Sequence, residues 1–187
     1  MKLSRKTAAL GALFAAALLA GSAALAQDAF EAPVLITSAG QSIEASTVNF
    51  HFEKANVKAI LEPLASPAKL EGVKTLVIAP GHSLKGLGSA GIDEVSELAR
   101  VKKIVEAAHD AGIPIICIHI GGKARRGATS QPFIEASMQY AAACIVYDAG
   151  NEDGYFTQEC AARGIPLITM PKAAFLAKNL KPLFPQQ

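Results

Sequence analysis

Continuous apolar runs alternate with helical patterns along most of this chain, and this alternation constrains its fold more than any other feature. The runs lie at Pro33–Ser38, Val73–Ala79, Ile113–Ile120, Cys144–Tyr147 and Ile165–Thr169. Uninterrupted apolar runs of this length are typical of strands that are buried on both faces of a sheet. Because helices separate them, they predict βαβ units on a parallel sheet.

Helical periodicity fills the gaps between those runs. The clearest helix is predicted from Ile92 to Ala111, with Gly112 as its stop. Its apolar stripe consists of Val95, Leu98, Val101, Val105 and Ala108. Other helices are predicted at Ser42–Ala55, Pro132–Ala141, Gly154–Arg163 and Lys172–Leu183. Ser42 is a candidate N-cap, although the alternation of Val48, Phe50 and Phe52 also fits a strand.

A short edge strand at Val57–Leu61 completes the predicted sheet. The expected fold is a three-layer, Rossmann-like or flavodoxin-like α/β domain with five to six parallel strands flanked by helices. The flavodoxin-like strand order is 2-1-3-4-5, here with a sixth strand added. Such a sheet binds its ligands beyond the carboxyl ends of the strands, at the switch point between strands one and three.

The first 26 residues predict a secretory signal peptide. Three basic residues within the first six positions precede the apolar run Ala8–Ala20, and Ala24–Ala26 has the small-x-small cleavage pattern. The apolar run is short for a spanning helix, which needs about 20 residues. With no lipoprotein cysteine and no twin-arginine pair, the pattern favours Sec-type export to the periplasm or beyond, with cleavage after Ala26. Residues 27–187 then form a single domain.

Signal cleavage changes the charge balance of the chain. The full sequence has 18 Lys and Arg against 16 Asp and Glu, and three of the basic residues leave with the signal. The mature chain is therefore close to neutral. That excludes a generally basic nucleic-acid-binding protein or a membrane-surface protein, and no later segment is long and apolar enough to span a bilayer.

Two glycine-rich basic loops, at 81–91 and 119–127, follow two of the predicted strands. Glycine lets backbone N–H groups point into a crevice, and nearby cations favour an anion there. Together with the 38–42 turn, these loops predict an anion site. Its candidate residues are Ser38, Gly40, Gln41, Ser42, Gly81, Ser83, Lys85, Gly86, Gly88, Gly121, Gly122, Arg125 and Arg126.

More specific phosphate motifs do not fit. Gly86–Gly91 is a literal GxGxxG, but it begins well past the end of its strand, and His119 stands where an acidic ribose partner would be expected. The Gly-Lys-Ser/Thr of a phosphate loop is absent from the sequence. The alternative interpretations are a flexible surface turn for the first loop and a basic turn paired with local acids for the second.

Other chemistry-bearing residues are less specific. His82 and His119 follow neighbouring strands and are weak candidates for acid–base catalysis or metal binding, although a lone histidine is more often structural. Cys117 and Cys144 fit the core, and a disulfide between them stays open. The acidic loop 148–153 departs from calcium-loop spacing and fits turn formation and helix capping. No metal site or cofactor is predicted.

Several of these motifs resemble an uncharacterised family of small exported bacterial proteins. The similar segments are 34–42, 85–93, 119–127 and 148–156, and the resemblance covers nearly all of the mature chain. It implies a Rossmann-like domain of unknown function and supplies no activity. It also favours the helical interpretation of Ser42–Ala55.

Three functions are compatible with this pattern. The leading hypothesis is binding of a small anionic metabolite, a carboxylate or a phosphate ester, at the carboxyl edge of the sheet. The second is a hydrolase or transferase that uses His82 or His119 in the same crevice. The third is an interaction module for another envelope protein.

Overall fold

Six parallel strands form one open sheet in the order β2-β1-β3-β4-β5-β6. They are β1 Val34–Ala39, β2 Ala59–Leu61, β3 Thr75–Pro80, β4 Ile115–His119, β5 Ala141–Tyr147 and β6 Leu167–Met170. The structure is a computed structural model that describes residues 30–185, so the predicted signal peptide lies outside the described residues. The predicted flavodoxin-like α/β fold is confirmed, with the sixth strand at the edge.

Six α-helices flank the sheet. They are α1 Glu44–Ala55, α2 Leu84–Ala90, α3 Glu94–Asp110, α4 Gln131–Met138, α5 Tyr155–Arg163 and α6 Leu176–Leu180. Helices α1 and α6 pack on one face of the sheet, whereas α3, α4 and α5 contribute to the clusters on the other. No helix within residues 30–185 has the length and apolar character needed to cross a bilayer.

The uninterrupted apolar runs form strands because both faces of the sheet are covered. Every residue of β1, β3 and β4 is buried. Their alternate side chains enter two different clusters: Ile36 packs with α1 and α6, and Leu35 packs with α3. A polar side chain pointing to either face of the sheet would therefore lose its contact with water. This explains why these runs do not alternate between apolar and polar residues.

The structure corrects three predicted boundaries. The helix predicted up to Ala141 ends at Met138, because β5 already begins at Ala141. The long helix begins with Asp93 as its N-cap, and Val95 is 80% exposed rather than part of its buried stripe. The predicted 81–91 loop contains helix α2, which Ser83 caps and Gly91 ends.

The three cysteines lie together in the core. Cys117 on β4 is the register partner of Cys144 on β5, and Cys160 on α5 belongs to the same cluster. All three thiols are buried and unbonded. The adjoining thiol of Cys117 is the main cause of a raised pKa at Cys144, to which burial adds. Cys117 and Cys144 are thus core residues, as predicted.

Candidate functional site

The turn after β1 holds two consecutive residues in the left-handed region. Gly40 has a φ of 97° and Gln41 a φ of 56°. A side chain at Gly40 would come within 2.6 Å of the Gly81 carbonyl oxygen, so glycine permits both the φ and the close approach. Gln41, which has no such freedom, forms an isolated antiparallel bridge to His82. The β1 and β3 loops are therefore packed directly against each other.

Glu97 and Arg100 of α3 fix this turn from below. The Glu97 carboxylate is fully buried and accepts hydrogen bonds from the Gly40 N–H and the Gln41 amide, each at 2.9 Å. Arg100 donates to both Glu97 oxygens and to the Ser38 carbonyl. Burial alone would raise the pKa of Glu97, but Arg100 and the turn's donors hold it below its usual range. The result is a buried, fully paired anion that positions the turn.

Three of the glycine amides that were predicted to hold an anion have hydrogen-bond partners within the protein. The Gly40 N–H donates to Glu97, and the Gly81 N–H donates to the Ala39 carbonyl at 2.8 Å. The Gly86 N–H donates to the Ser83 hydroxyl at 3.1 Å, where it caps α2. A side chain at Gly86 would collide with the Gln41 carbonyl. These glycines therefore serve loop packing, since their N–H groups are already occupied.

A groove with a volume of about 590 Å³ opens between the turn after β1, α2 and the segment after β2. Five of the predicted ligand residues line it: Gln41, Ser42, Ser83, Lys85 and Gly86. The other lining residues are Ile43, Ser46, Glu62, Pro63, Leu64, Ser89 and Ala90. We call this site the serine–lysine groove. It lies at the predicted switch point between β1 and β3.

Ser42 and Glu44 meet at the start of α1. The predicted N-cap at Ser42 is wrong by one residue, because Ile43 occupies that position and caps with no side chain. Within the described residues, the buried Ser42 hydroxyl and one Glu44 oxygen have no hydrogen-bond partner at standard distances. Burial raises the pKa of Glu44, but Ser42 and Arg125 outweigh it and hold the pKa below its usual range.

Both arginines of the second basic loop are paired with the protein's own acids, and Arg126 also contacts aromatic rings. Arg125 donates to Glu44 at 3.0 Å and to the His82 carbonyl at 2.7 Å. Arg126 donates to Asp153 at 2.8 Å and lies over the Tyr155 ring. Neither residue lines the serine–lysine groove. Their arrangement matches the alternative interpretation, a basic loop paired with acids.

The remaining glycine candidates lie away from the groove. Gly88 is exposed on α2 and does not line it. Gly121 packs against Arg125, and Gly122 is buried next to Tyr147. Ser38 lies at the buried end of β1, and its hydroxyl has no partner among the described residues. The structure thus gathers five of the thirteen candidates into one groove and distributes the others around it.

The two histidines differ sharply. His119 is fully buried, with its ring nitrogens 3.4 Å from the carbonyls of Pro80 and Gly122. Burial lowers its pKa, so the imidazole is held neutral. His82 has one ring nitrogen 2.6 Å from the Glu94 carboxylate, which is half exposed. Only His82 therefore keeps a geometry suited to proton transfer.

Three functional features were missed from the sequence. No role is predicted for Glu97 in the sequence analysis, although the residue occupies an apolar-stripe position four residues before Val101. Ser46 and Ser89 line the groove, as do apolar residues from two segments. Within residues 30–185, no three His, Cys, Asp or Glu side chains come together as a metal site.

Residues 31–184 match the family described as Domain of unknown function (DUF6305). The chain belongs to this family. No curated protein matches the sequence significantly. One similar solved structure is a serine-to-alanine mutant of the esterase AlinE4, at 11% identity, covering 86% of this chain and 85% of that one. Its TM-score is 0.30, too low to support any functional argument.

Proposed function

We propose that the mature chain is an exported domain that binds a small anionic metabolite, a carboxylate or a phosphate ester, in the serine–lysine groove. The observation that carries this proposal is that Lys85 and Ser83 line one groove, whose wall is shaped by Gln41, Ser42 and Gly86. A volume of about 590 Å³ falls within the range of small-molecule sites, which is roughly 300–1,000 Å³. Nucleic acid and membrane are not among the proposed partners.

Each polar residue of the groove has a distinct role in this proposal. Lys85 is exposed and provides the positive charge that neutralises the anion. The hydroxyl of Ser83 orients the ligand oxygens, whereas the buried hydroxyl of Ser42 lies beside Glu44 and shapes the wall. Gln41 is already bound by Glu97, so it shapes the wall rather than contacting the ligand.

Calorimetry with a panel of small organic acids and phosphate esters tests the proposal. Lys85→Gln should weaken the tightest ligand about three- to tenfold, because it removes one charged hydrogen bond at a partly solvated site. Lys58→Gln is the matched control. Lys58 is exposed and lies just before β2, at the amino-terminal ends of the strands and away from the carboxyl ends where the groove opens. No binding by the panel, or equal effects of the two variants, would contradict anion binding here.

The hydrolase or transferase alternative now depends on His82 alone. His82 lies 2.6 Å from the Glu94 carboxylate, an arrangement in which the carboxylate could orient the histidine as a general base. His82 is not among the residues that line the serine–lysine groove. Turnover of esters or phosphate esters that is lost in His82→Gln and reduced in Glu94→Gln, with the fold intact, would favour this alternative. Co-purification of an envelope protein with no small-molecule affinity would instead favour the interaction module.

A further inference from the structure

We infer that the ligand of the serine–lysine groove is an amphiphilic monocarboxylate, meaning an acid with one carboxylate and an apolar body. This inference rests on the proposed anion-binding function and narrows its ligand class. Two observations support it: the charge of the groove and its apolar walls. Phosphate esters and dicarboxylates are the classes that it excludes.

The charged residues of the groove favour a ligand with one negative charge over a ligand with two. Among the described residues that line it, Lys85 is the one cation and Glu62 the one carboxylate. Glu62 lies 3.8 Å from Lys69, so it is only loosely neutralised. A phosphate monoester carries a charge of about −1.5 to −2 at neutral pH. Its second charge would face Glu62 with no further cation, whereas a carboxylate is matched by Lys85 alone.

The arginines that would favour a phosphate are not available to the groove. Phosphate sites commonly use the forked donors of arginine. Arg125 is bound by Glu44 and by the His82 carbonyl, and Arg126 is bound by Asp153. Both lie outside the groove lining. A phosphate bound next to Lys85 would therefore lack bidentate recognition.

Apolar side chains from two segments make part of the groove lining hydrophobic. Pro63 and Leu64 follow β2, and Ile43 begins α1. Ile43 is 73% exposed and Leu64 is 38% exposed, and both line the groove. Single exposed apolar residues are common on protein surfaces. Several exposed apolar residues that line one groove together with a lysine are complementary to a ligand with an apolar body and one negative charge.

The hydroxyls of the groove differ in what they can contact. The oxygen of Ser42 is buried beside Gly81 and helps to hold down the pKa of Glu44, so it belongs to the wall of the groove. The Ser83 hydroxyl accepts from the Gly86 N–H, which leaves its proton free to be donated. A carboxylate has two acceptor oxygens and can contact Ser83 and Lys85 together.

Calorimetry with acids of matched chain length tests the inference. The series is acetate, butyrate, hexanoate and octanoate, compared with succinate and hexyl phosphate at pH 7.5. Affinity should rise about two- to fourfold for each buried methylene. Hexanoate should bind at least tenfold more tightly than succinate or hexyl phosphate.

Variants separate the charge argument from the apolar argument. Glu62→Gln should tighten hexyl phosphate by roughly three- to tenfold and leave hexanoate within twofold, because it removes repulsion of the second charge. Ile43→Ser should flatten the chain-length series, since serine suits a helix start and removes only the apolar wall. Val95→Ser, at a residue that is 80% exposed on α3, is the matched control. Urea midpoints verify that each variant is folded.

The outcomes distinguish this inference from the proposed function. If no acid or phosphate binds, the proposed function fails and the inference fails with it. If hexyl phosphate or succinate binds as tightly as hexanoate, or if affinity ignores chain length, the inference alone is wrong. If Ile43→Ser and Val95→Ser have equal effects on the chain-length series, the apolar wall plays no part.

Discussion

Two cationic regions lie at the carboxyl ends of the strands, and they differ in whether their cations are paired with acids of the protein. In the serine–lysine groove, Lys85 is exposed and shares the groove with the hydroxyls of Ser83 and Ser89. In the arginine loop, which comprises residues 121–127, Arg125 and Arg126 are bound by Glu44 and Asp153. The two regions look alike in the sequence, since each has glycines and basic residues after a strand.

The difference shows that whether a basic loop can bind an anion depends on which acidic residues of the folded chain lie against it. Glu44 lies 81 positions before Arg125, and Asp153 lies 27 positions after Arg126. Neither pairing is visible in local spacing. A cation left without such a partner beside a groove is the better candidate for a ligand contact than a pair of arginines with more donors.

The largest effect should come from breaking the buried ion pair below the groove. Glu97→Ala leaves Arg100 without its carboxylate and the Gly40 N–H without an acceptor. Removing one partner of a buried pair costs about 3–5 kcal/mol of unfolding free energy. Urea denaturation measures this loss.

The corresponding change in the arginine loop provides the control. Asp153→Ala removes the carboxylate partner of Arg126 and the acceptor of the Tyr155 N–H, but Asp153 itself is 59% exposed, so the expected loss is only about 1–2 kcal/mol. Equal losses for Glu97→Ala and Asp153→Ala would contradict the view that the fully buried Glu97 carries more of the stability than the Arg126 pair.

The next prediction converts the arginine loop into a competing anion site. Glu44→Gln keeps a hydrogen-bonding side chain but removes the charge that neutralises Arg125. Anion affinity should then rise by roughly three- to tenfold, because the positive charge of the Arg125 guanidinium is no longer neutralised by a carboxylate. Calorimetry with hexanoate and with inorganic phosphate measures this gain.

The matched control is the double variant Glu44→Gln/Arg125→Ala, in which the gain should vanish. Arg125→Ala alone should change affinity less than twofold, since the guanidinium is already bound by protein groups. A large loss in Arg125→Ala with an intact urea midpoint would mean that the two regions act as one site.

Acid should produce the smallest effect, with the buried histidine and the buried carboxylates acting at different pH values. Burial lowers the pKa of His119 below its ordinary 6.5, so the folded chain resists a proton that the unfolded chain accepts. Its stabilising contribution is therefore lost as the pH falls below 6.5. The depressed pKa of Glu97 means that its contribution is lost only below about 4.5.

Urea midpoints measured from pH 7.5 to 3.5 test this division. His119→Phe should flatten the slope between pH 6.5 and 5, and Glu97→Gln should flatten it below 4.5. A wild-type stability that is constant from pH 7.5 to 5 would show that His119 titrates normally in the folded chain.

The sheet was predictable because its strands are apolar without alternation, a pattern that few other structures produce. Helix α2 was not predicted because Gly86 and Gly88 have poor helix propensity. The signals that define it, Ser83 as N-cap and Gly91 as stop, are present in the sequence. The glycine at 86 is required by close contact with Gln41, which belongs to another element and is invisible locally.

The site was only partly predictable for a related reason. Residues that follow strands, such as Ser42 and Ser83, could be placed at the sheet edge from topology alone. Glu97 lies on a helix, and its burial depends on how α3 meets the turn after β1. An acidic residue at an apolar-stripe position is the signal that could have revealed it.

The turn at Gly40 and Gln41 has one further consequence, for the kinetics of binding. Two left-handed residues clamped by a buried carboxylate form a wall that is assembled before any ligand arrives. Little conformational entropy then remains to be lost, so association should proceed in one step without a slow phase. Differences between acids should therefore lie in how fast each one leaves, and amide exchange of the turn should be nearly the same with and without ligand.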